Sequence, residues 1–461
     1  MNENPINSAY QILDDAVMQY RGRPVGTVAA LSAKAVAAAN YEECFVRDFV
    51  PSALVFLHDG KPEIVRNFLE AVLELRVSER KIAGHELQPG VMPASFRVIH
   101  TEDGERLMAD FGERAIGRVA PVDSMMWWMI LLGAYVRATG DRELAERPAF
   151  QRCIEQILHL CLRDTFEVFP TLLVPDGAFM IDRRMGVYGH PLEIQALFFG
   201  MLQVAESLLV PTDTNRDLLR TATSRRNALR TYVRIYYWLD LDRLNEIHRF
   251  RTEEFGAESI NMLNIYPESI PDWIEGWFPE TSGYFVGNLG PGRMDFRFFS
   301  VGNLLAILFD LATPEQARGI LDLYVKRWDD LMGNMPLKIC YPALEGKEWL
   351  LFTGCDPKNV PWSYHNGGSW PALLWMFVAA ALKAGRRELA DWAYDLAARQ
   401  LPGDGWPEYY DGRTARLVGR RANLDQVWSA TSLIVSQQLL ESGEAPLLVP
   451  EEAAPSEQAA W

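Results

Sequence analysis

Cysteine is scarce, with five in 461 residues: Cys44, Cys153, Cys161, Cys340 and Cys355. The number is odd and the spacings match no metal-ligand pattern, so neither a disulfide framework nor a zinc site is expected. Thiols of this kind fit a reducing cytoplasm. No run of 18 apolar residues occurs, which argues against a membrane-spanning helix. The opening stretch, MNENPINSAYQILDDAV, has no basic region followed by an apolar one, so no signal peptide is expected. Basic charge is short as well. Lys and Arg number 45 against 61 Asp and Glu, for a net charge of −16. Nucleic acid and anionic membranes both need a basic face, and neither is expected as a partner. A P-loop, a dinucleotide fingerprint, a GxSxG elbow and an HExxH helix are all missing.

What the chain has in quantity is apolar periodicity. Hydrophobic residues make up 49% and charged residues 23%, enough for a large core. Spacings of i, i+3, i+4 and i+7 predict helices over 8–20, 27–39, 45–58, 62–77, 122–138, 149–163, 191–209, 214–238, 300–311, 314–331, 368–384, 386–400 and 424–441. Strand signal is confined to short runs such as 283–286 and 350–353.

A repeat marks certain helix ends. Gly60-Lys-Pro-Glu63, Gly140-Asp-Arg-Glu143 and Gly385-Arg-Arg-Glu388 share one form, with Ala312-Thr-Pro-Glu315 a weaker fourth. The glycine caps one helix in a left-handed conformation, and the Glu enters the first turn of the next, where the macrodipole favours it. Each is a tight helix hairpin. Recurrence every 70–80 residues makes about six hairpins in the chain. The long polar and aromatic stretches (85–121, 166–190, 251–299, 333–367 and 402–423) fall at the opposite ends. Short connections on one rim and long ones on the other predict an all-α (α/α)6 barrel, with an open solenoid as the alternative. No linker interrupts residues 1–441, which are expected to be one domain. Residues 442–461, rich in Ala, Pro and Glu, are expected to form a flexible tail.

Chemistry-bearing residues gather on the long-loop rim. Phe45-Val-Arg47-Asp48 follows Tyr41, and Pro121-Val-Asp123-Ser124 precedes Trp127 and Trp128. Both aspartates sit near helix N-termini, where dipole or capping duty alone can place them. Residues 171–195 run through Asp182-Arg183-Arg184, Tyr188 and His190-Pro-Leu-Glu193-Ile-Gln195. A carboxylate, guanidinium groups, a phenol and an imidazole on one loop feeding a helix point to a site rather than a connector. Asp295 and Arg297 precede another helix. Tyr364-His365-Asn366-Gly-Gly-Ser-Trp370-Pro offers donors, acceptors and a ring face beside two glycines, where backbone can approach a ligand. Gly405-Trp406-Pro-Glu408-Tyr-Tyr-Asp-Gly sets a carboxylate among aromatics. Acids, arginines and aromatic rings on one rim read together as glycoside hydrolysis, in which two carboxylates flank the scissile bond.

These blocks resemble the alkaline/neutral invertases, glycoside hydrolase family 100, in their short bacterial (cyanobacterial-type) form. The resemblance runs from about Tyr41 to about Leu440 and implies an (α/α)6 barrel that hydrolyses sucrose to glucose and fructose with inversion at the glucosyl anomeric carbon. It implies the Asp of the IDRRM block, Asp182, as general acid and the Glu of the WPEYYDG block, Glu408, as general base, with no metal or organic cofactor. Tyr41, Arg47, Asp48, Asp123, Arg184, Tyr188, His190, Gln195, Asp295, Arg297, His365, Asn366, Trp370 and Trp406 are the expected substrate-binding residues. Among them Asp48, His190, Gln195, His365 and Asn366 would hold glucose hydroxyls, and Trp370 or Trp406 would stack on a ring. A trehalase-like glycosidase on the same barrel and a non-catalytic sugar-binding scaffold are the competing readings. Apolar residues within 331–337, taken as an exposed loop, suggest a homo-oligomer.

Overall fold

The computed structural model describes residues 4–31, 40–77, 80–82, 85–113, 121–163, 169–174, 179–181, 185–187, 189–250, 252, 260–290, 293–444 and 448–450. Twelve helices build its frame. They are α1 (Pro5–Asp15), α2 (Phe49–His58), α3 (Pro62–Leu75), α4 (Ser124–Thr139), α5 (Pro148–Cys161) and α6 (Leu192–Leu208) in the first half. The second half has α7 (Arg216–Tyr232), α8 (Ser300–Leu308), α9 (Pro314–Lys326), α10 (Leu374–Lys383), α11 (Arg387–Gln400) and α12 (Val427–Ser442).

Helices of even number form the inner ring. Each packs on the next, and α12 packs back on α2, which closes the circle. Their sequences explain the placement. Every residue of α4 from Ser124 to Val136 is buried, as is nearly all of α6, and a helix apolar all round has to lie inside. Odd-numbered helices are amphipathic. In α3, Ile64, Val65, Phe68, Leu69 and Val72 face inward, while Arg66 and Glu70 pair on the outer face at 3.5 Å. The first outer helix, α1, packs on the last inner one, α12.

The predicted hairpin turns are present. Gly60, Gly140 and Gly385 have φ of +71°, +73° and +71°, values that a Cβ would strain. The fourth turn is a capping box, Thr313 with Gln316. At the other rim all the inner helices begin, and the chain there is partly extended. Ser95–Thr101 and Gly104–Asp110 form a hairpin that also pairs with Cys44–Phe45.

Several expectations are corrected. Helix 8–20 ends at Asp15 and gives way to an antiparallel pair, Val17–Tyr20 with Arg23–Thr27. Residues 350–353 belong to a helix, Gly346–Thr353, whose Leu350 and Leu351 are exposed. An apolar triplet alone does not separate strand from helix. In the stretch 331–337, Leu331, Met332, Met335 and Leu337 are buried in the core, so that stretch gives no basis for an oligomer. Leu448 and Val449 also pack into the core beyond α12, so the chain does not leave the barrel at Ser442. Most of the expected helix 27–39, residues 32–39, lies outside the described residues.

Candidate active site

Inner-helix starts put their lead-in residues around one mouth. The backbone N–H of Val46 donates to the carbonyl of Ala94 at 3.0 Å, which fixes Arg47 and Asp48 at the head of α2. Asp123 stands immediately before α4, and Arg47 Nη1 reaches its Oδ2 at 2.6 Å. The same guanidinium lies 3.9 Å from Asp48 Oδ1. Glu193, in the first turn of α6, accepts the backbone N–H of Met180 on Oε1 at 2.9 Å.

The last carboxylate, Glu408, is 2% exposed. The Tyr41 hydroxyl donates to its Oε1 at 2.7 Å, and Lys358 Nζ lies 3.8 Å from the same oxygen. Its Oε2 accepts the backbone N–H of Asn423 at 3.4 Å. Lys358 is itself seated over the Tyr364 ring, 3.8 Å from the centroid. Burial and the charge of Glu408 push the Tyr41 phenol far up, so it remains a donor.

Two other acids hold protons near neutrality. Burial, reinforced by the charges of Glu408 and Asp123 against the pull of Arg47, raises Asp48 to about 7. Burial and then the charge of Asp123 raise Glu193 to about 8, opposed by Arg47 and by the amides of Met180 and Ile181. A crowd of buried carboxyls with few cations keeps some of them neutral.

On the barrel axis beneath these groups is a cavity of about 20 Å³, room for a water molecule but not a hexose. Each inner helix contributes to its wall: Val50, Trp127, Glu193, Val301, Trp375 and Trp428. A second, open cleft of about 730 Å³ is lined by Asp295, Arg297, Trp273, Trp362 and Gly186. Arg297 grips Asp295 through Nε at 2.9 Å and Nη2 at 2.5 Å, and the same Nη2 donates to the Met185 carbonyl at 3.1 Å.

The structure thus brings together Tyr41, Arg47, Asp48, Asp123 and Glu408, and puts Asp295 and Arg297 on a neighbouring cleft. Asp182, Arg184 and Tyr188 lie outside the described residues. Gln195, Asn366, Trp370 and Trp406, also expected as sugar ligands, have their polar groups or faces engaged within the fold. The amide of Gln195 is spent on both backbone groups of Leu172, at 2.8 and 2.9 Å. Asn366 accepts from the N–H of Leu344 and donates to the carbonyls of Leu344 and Asn359. Trp370 is buried flat against Tyr409 and donates to the Tyr364 carbonyl, while Trp406 is buried in the core, so neither offers a free face to a sugar. His190 is buried with Nδ1 at 2.8 Å from Thr171 Oγ1, and burial lowers its pKa, leaving a neutral ring. His365 stacks on Tyr364 at 4.1 Å.

Lys358 and Trp428 carried no sequence signal. A lysine in a polar loop and a tryptophan in an apolar helix look ordinary until folding sets them beside Glu408 and Glu193. Glu193 stood in a singled-out block, and its bond to the Met180 backbone is what gives it work.

Known proteins match this chain over nearly all its length. A profile of the alkaline and neutral invertases covers residues 9–443. Cytosolic invertase 1 of Oryza sativa subsp. japonica is 52% identical over 438 residues, 95% of this chain and 78% of its own. Alkaline/neutral invertase C, mitochondrial, of Arabidopsis thaliana is 51% identical over 448 residues, 96% of this chain and 68% of its own. Among solved structures, the mannosylglycerate hydrolase of Thermus thermophilus superposes with a TM-score of 0.56 at 13% identity, covering 94% of this chain and all of its own. A bacterial glucoamylase complexed with acarbose gives 0.55 at 10%, over 96% and 56%. These structural likenesses speak for the barrel alone. With half its residues identical to invertases across the full barrel, the chain belongs to the alkaline and neutral invertase family and is a glycoside hydrolase.

Proposed function

We propose that this enzyme hydrolyses sucrose to glucose and fructose with inversion at the glucosyl anomeric carbon, Asp182 acting as general acid and Glu408 as general base. The observation that carries the reading is the setting of Glu408. It is a buried carboxylate at the barrel mouth, with Oε1 fixed by a phenol and faced by an ammonium, in a family of invertases. In this scheme Asp182 gives its proton to the glycosidic oxygen as the bond to the glucosyl carbon breaks. A water attacks that carbon from the opposite face, and Glu408 takes the proton that the water sheds. The two carboxyl groups would stand roughly 6.5–9.5 Å apart to admit the water. Asp48, neutral or charged near its raised value, and Arg47 offer a donor and acceptor pair to sugar hydroxyls. We place the enzyme in the cytoplasm, as its name places the rice relative.

Proton NMR of the first glucose released tests this. β-Glucose from sucrose, and loss of turnover in Asp182→Asn and Glu408→Gln by at least about 10²-fold, are expected. α-Glucose as the first product would overturn the assignment of Glu408 as base, and preferred turnover of trehalose would overturn the substrate.

A further inference from the structure

The acid proposed above follows Ile181 directly in the chain, and one side chain holds the backbone that leads to it. Glu193 accepts the N–H of Met180 on Oε1 at 2.9 Å, and the N–H of Ile181 also points at its carboxyl. A few residues on, the Met185 carbonyl is held by Arg297 at 3.1 Å. Asp182 therefore stands in sequence between two anchored points. Of these, the Glu193 anchor is the nearer.

Glu193 is buried on the first turn of α6, an inner helix packed between α4 and α8. Its Oε2 has no hydrogen-bond partner among the described residues. Neither do Arg47 Nε, Trp127 Nε1 and Trp428 Nε1, and all four residues line the small axial cavity. Arg47 and Asp123 are the charged groups that face it from the heads of α2 and α4. A carboxyl so enclosed costs free energy to bury, yet its one directed use is to accept backbone amides ahead of the acid.

The geometry points to Glu193 as the positioning residue of the catalytic acid, holding Met180 and Ile181 so that Asp182 meets the glycosidic oxygen. This rests on the assignment of Asp182. Its raised affinity for a proton fits the role, because a neutral carboxyl accepts amides through its carbonyl oxygen without adding a charge beside the acid. A Gln side chain has the same shape and the same carbonyl.

The test compares sucrose with α-glucosyl fluoride, whose leaving group departs with little need of a proton. In Glu193→Leu, kcat on sucrose should fall about 10²-fold with KM little changed, since misplacing a catalytic group by about 1 Å costs that much. Turnover of the fluoride should fall far less. Glu193→Gln should recover most of the lost sucrose turnover. Glu193→Asp, which keeps a carboxyl but withdraws it by one methylene, should repeat the leucine pattern and serves if the leucine variant does not fold. Equal losses on both substrates would overturn the inference, as would a glutamine variant as weak as the leucine one. Asp182→Asn is run alongside. If it shows no contrast between the two substrates, the acid assignment has failed; if it does and the Glu193 variants do not, only the positioning role has failed.

Discussion

Glu193 ordinarily would release its proton near 4.5, but in the fold it holds it to about 8. Between those values the folded chain binds a proton that the unfolded chain has lost, so stability falls as pH rises across the window. The slope is up to about 1.4 kcal/mol per unit, and it vanishes above about 8. Gln carries no such proton. Thermal melts of Glu193→Gln should therefore gain on the native protein steadily from pH 5 to pH 8; a constant offset would show that the site is not protonated as argued. Tyr41 bears on the base in a different way. Its hydroxyl is a charge-assisted donor to Glu408, and such bonds are worth about 1.5–3 kcal/mol. Tyr41→Phe should lower kcat about tenfold or more in steady-state kinetics with sucrose, with KM moved much less. Tyr41 and Glu408 stand 367 residues apart in the chain, and such separations limit what a sequence displays. The residue types at Gln195, Asn366 and Trp370 suit a sugar as well as they suit a carbonyl oxygen or an aromatic wall. In the fold, Leu172, Leu344 and Tyr409 already occupy them.

Helices were easier to read than their partners, because burial periodicity is a local signal. The turn pattern of Gly followed by Glu located the hairpins, since a left-handed cap and a dipole-favoured acid are demanded by the turn itself. The rim was harder. Ser95–Asp110 folds as a hairpin against Cys44–Phe45, and its pairing partners lie far apart in sequence. At the turn before α9, Thr313 Oγ1 accepts the N–H of Gln316 at 3.1 Å, and Gln316 returns the bond to the N–H of Thr313. Thr313→Ala should cost about 1 kcal/mol, read as a lower urea midpoint. Because this rim is opposite the mouth, kcat should not change. A loss of activity without loss of stability would mean that the short-turn rim communicates with the site.

At the scale of the whole ring, the first and last helices meet at one seam. The α1 helix packs on α12, and Gln438 Nε2 donates to both the Tyr10 hydroxyl at 3.1 Å and Asp59 Oδ1 at 2.9 Å. Three contributors, α1, α12 and the turn after α2, thus meet at one polar knot. Gln438→Leu should weaken it, exposing sites in α1 to limited proteolysis before the rest of the barrel; uniform cleavage would mean that α1 is held by apolar packing alone. The seam otherwise resembles the other joints between hairpins, which leaves the starting point of the chain arbitrary with respect to the circle. A permuted gene that opens at the Gly385 turn and splices the old ends with a flexible linker should still make an active enzyme, since that turn belongs to the short-turn rim, opposite the mouth that holds Glu408.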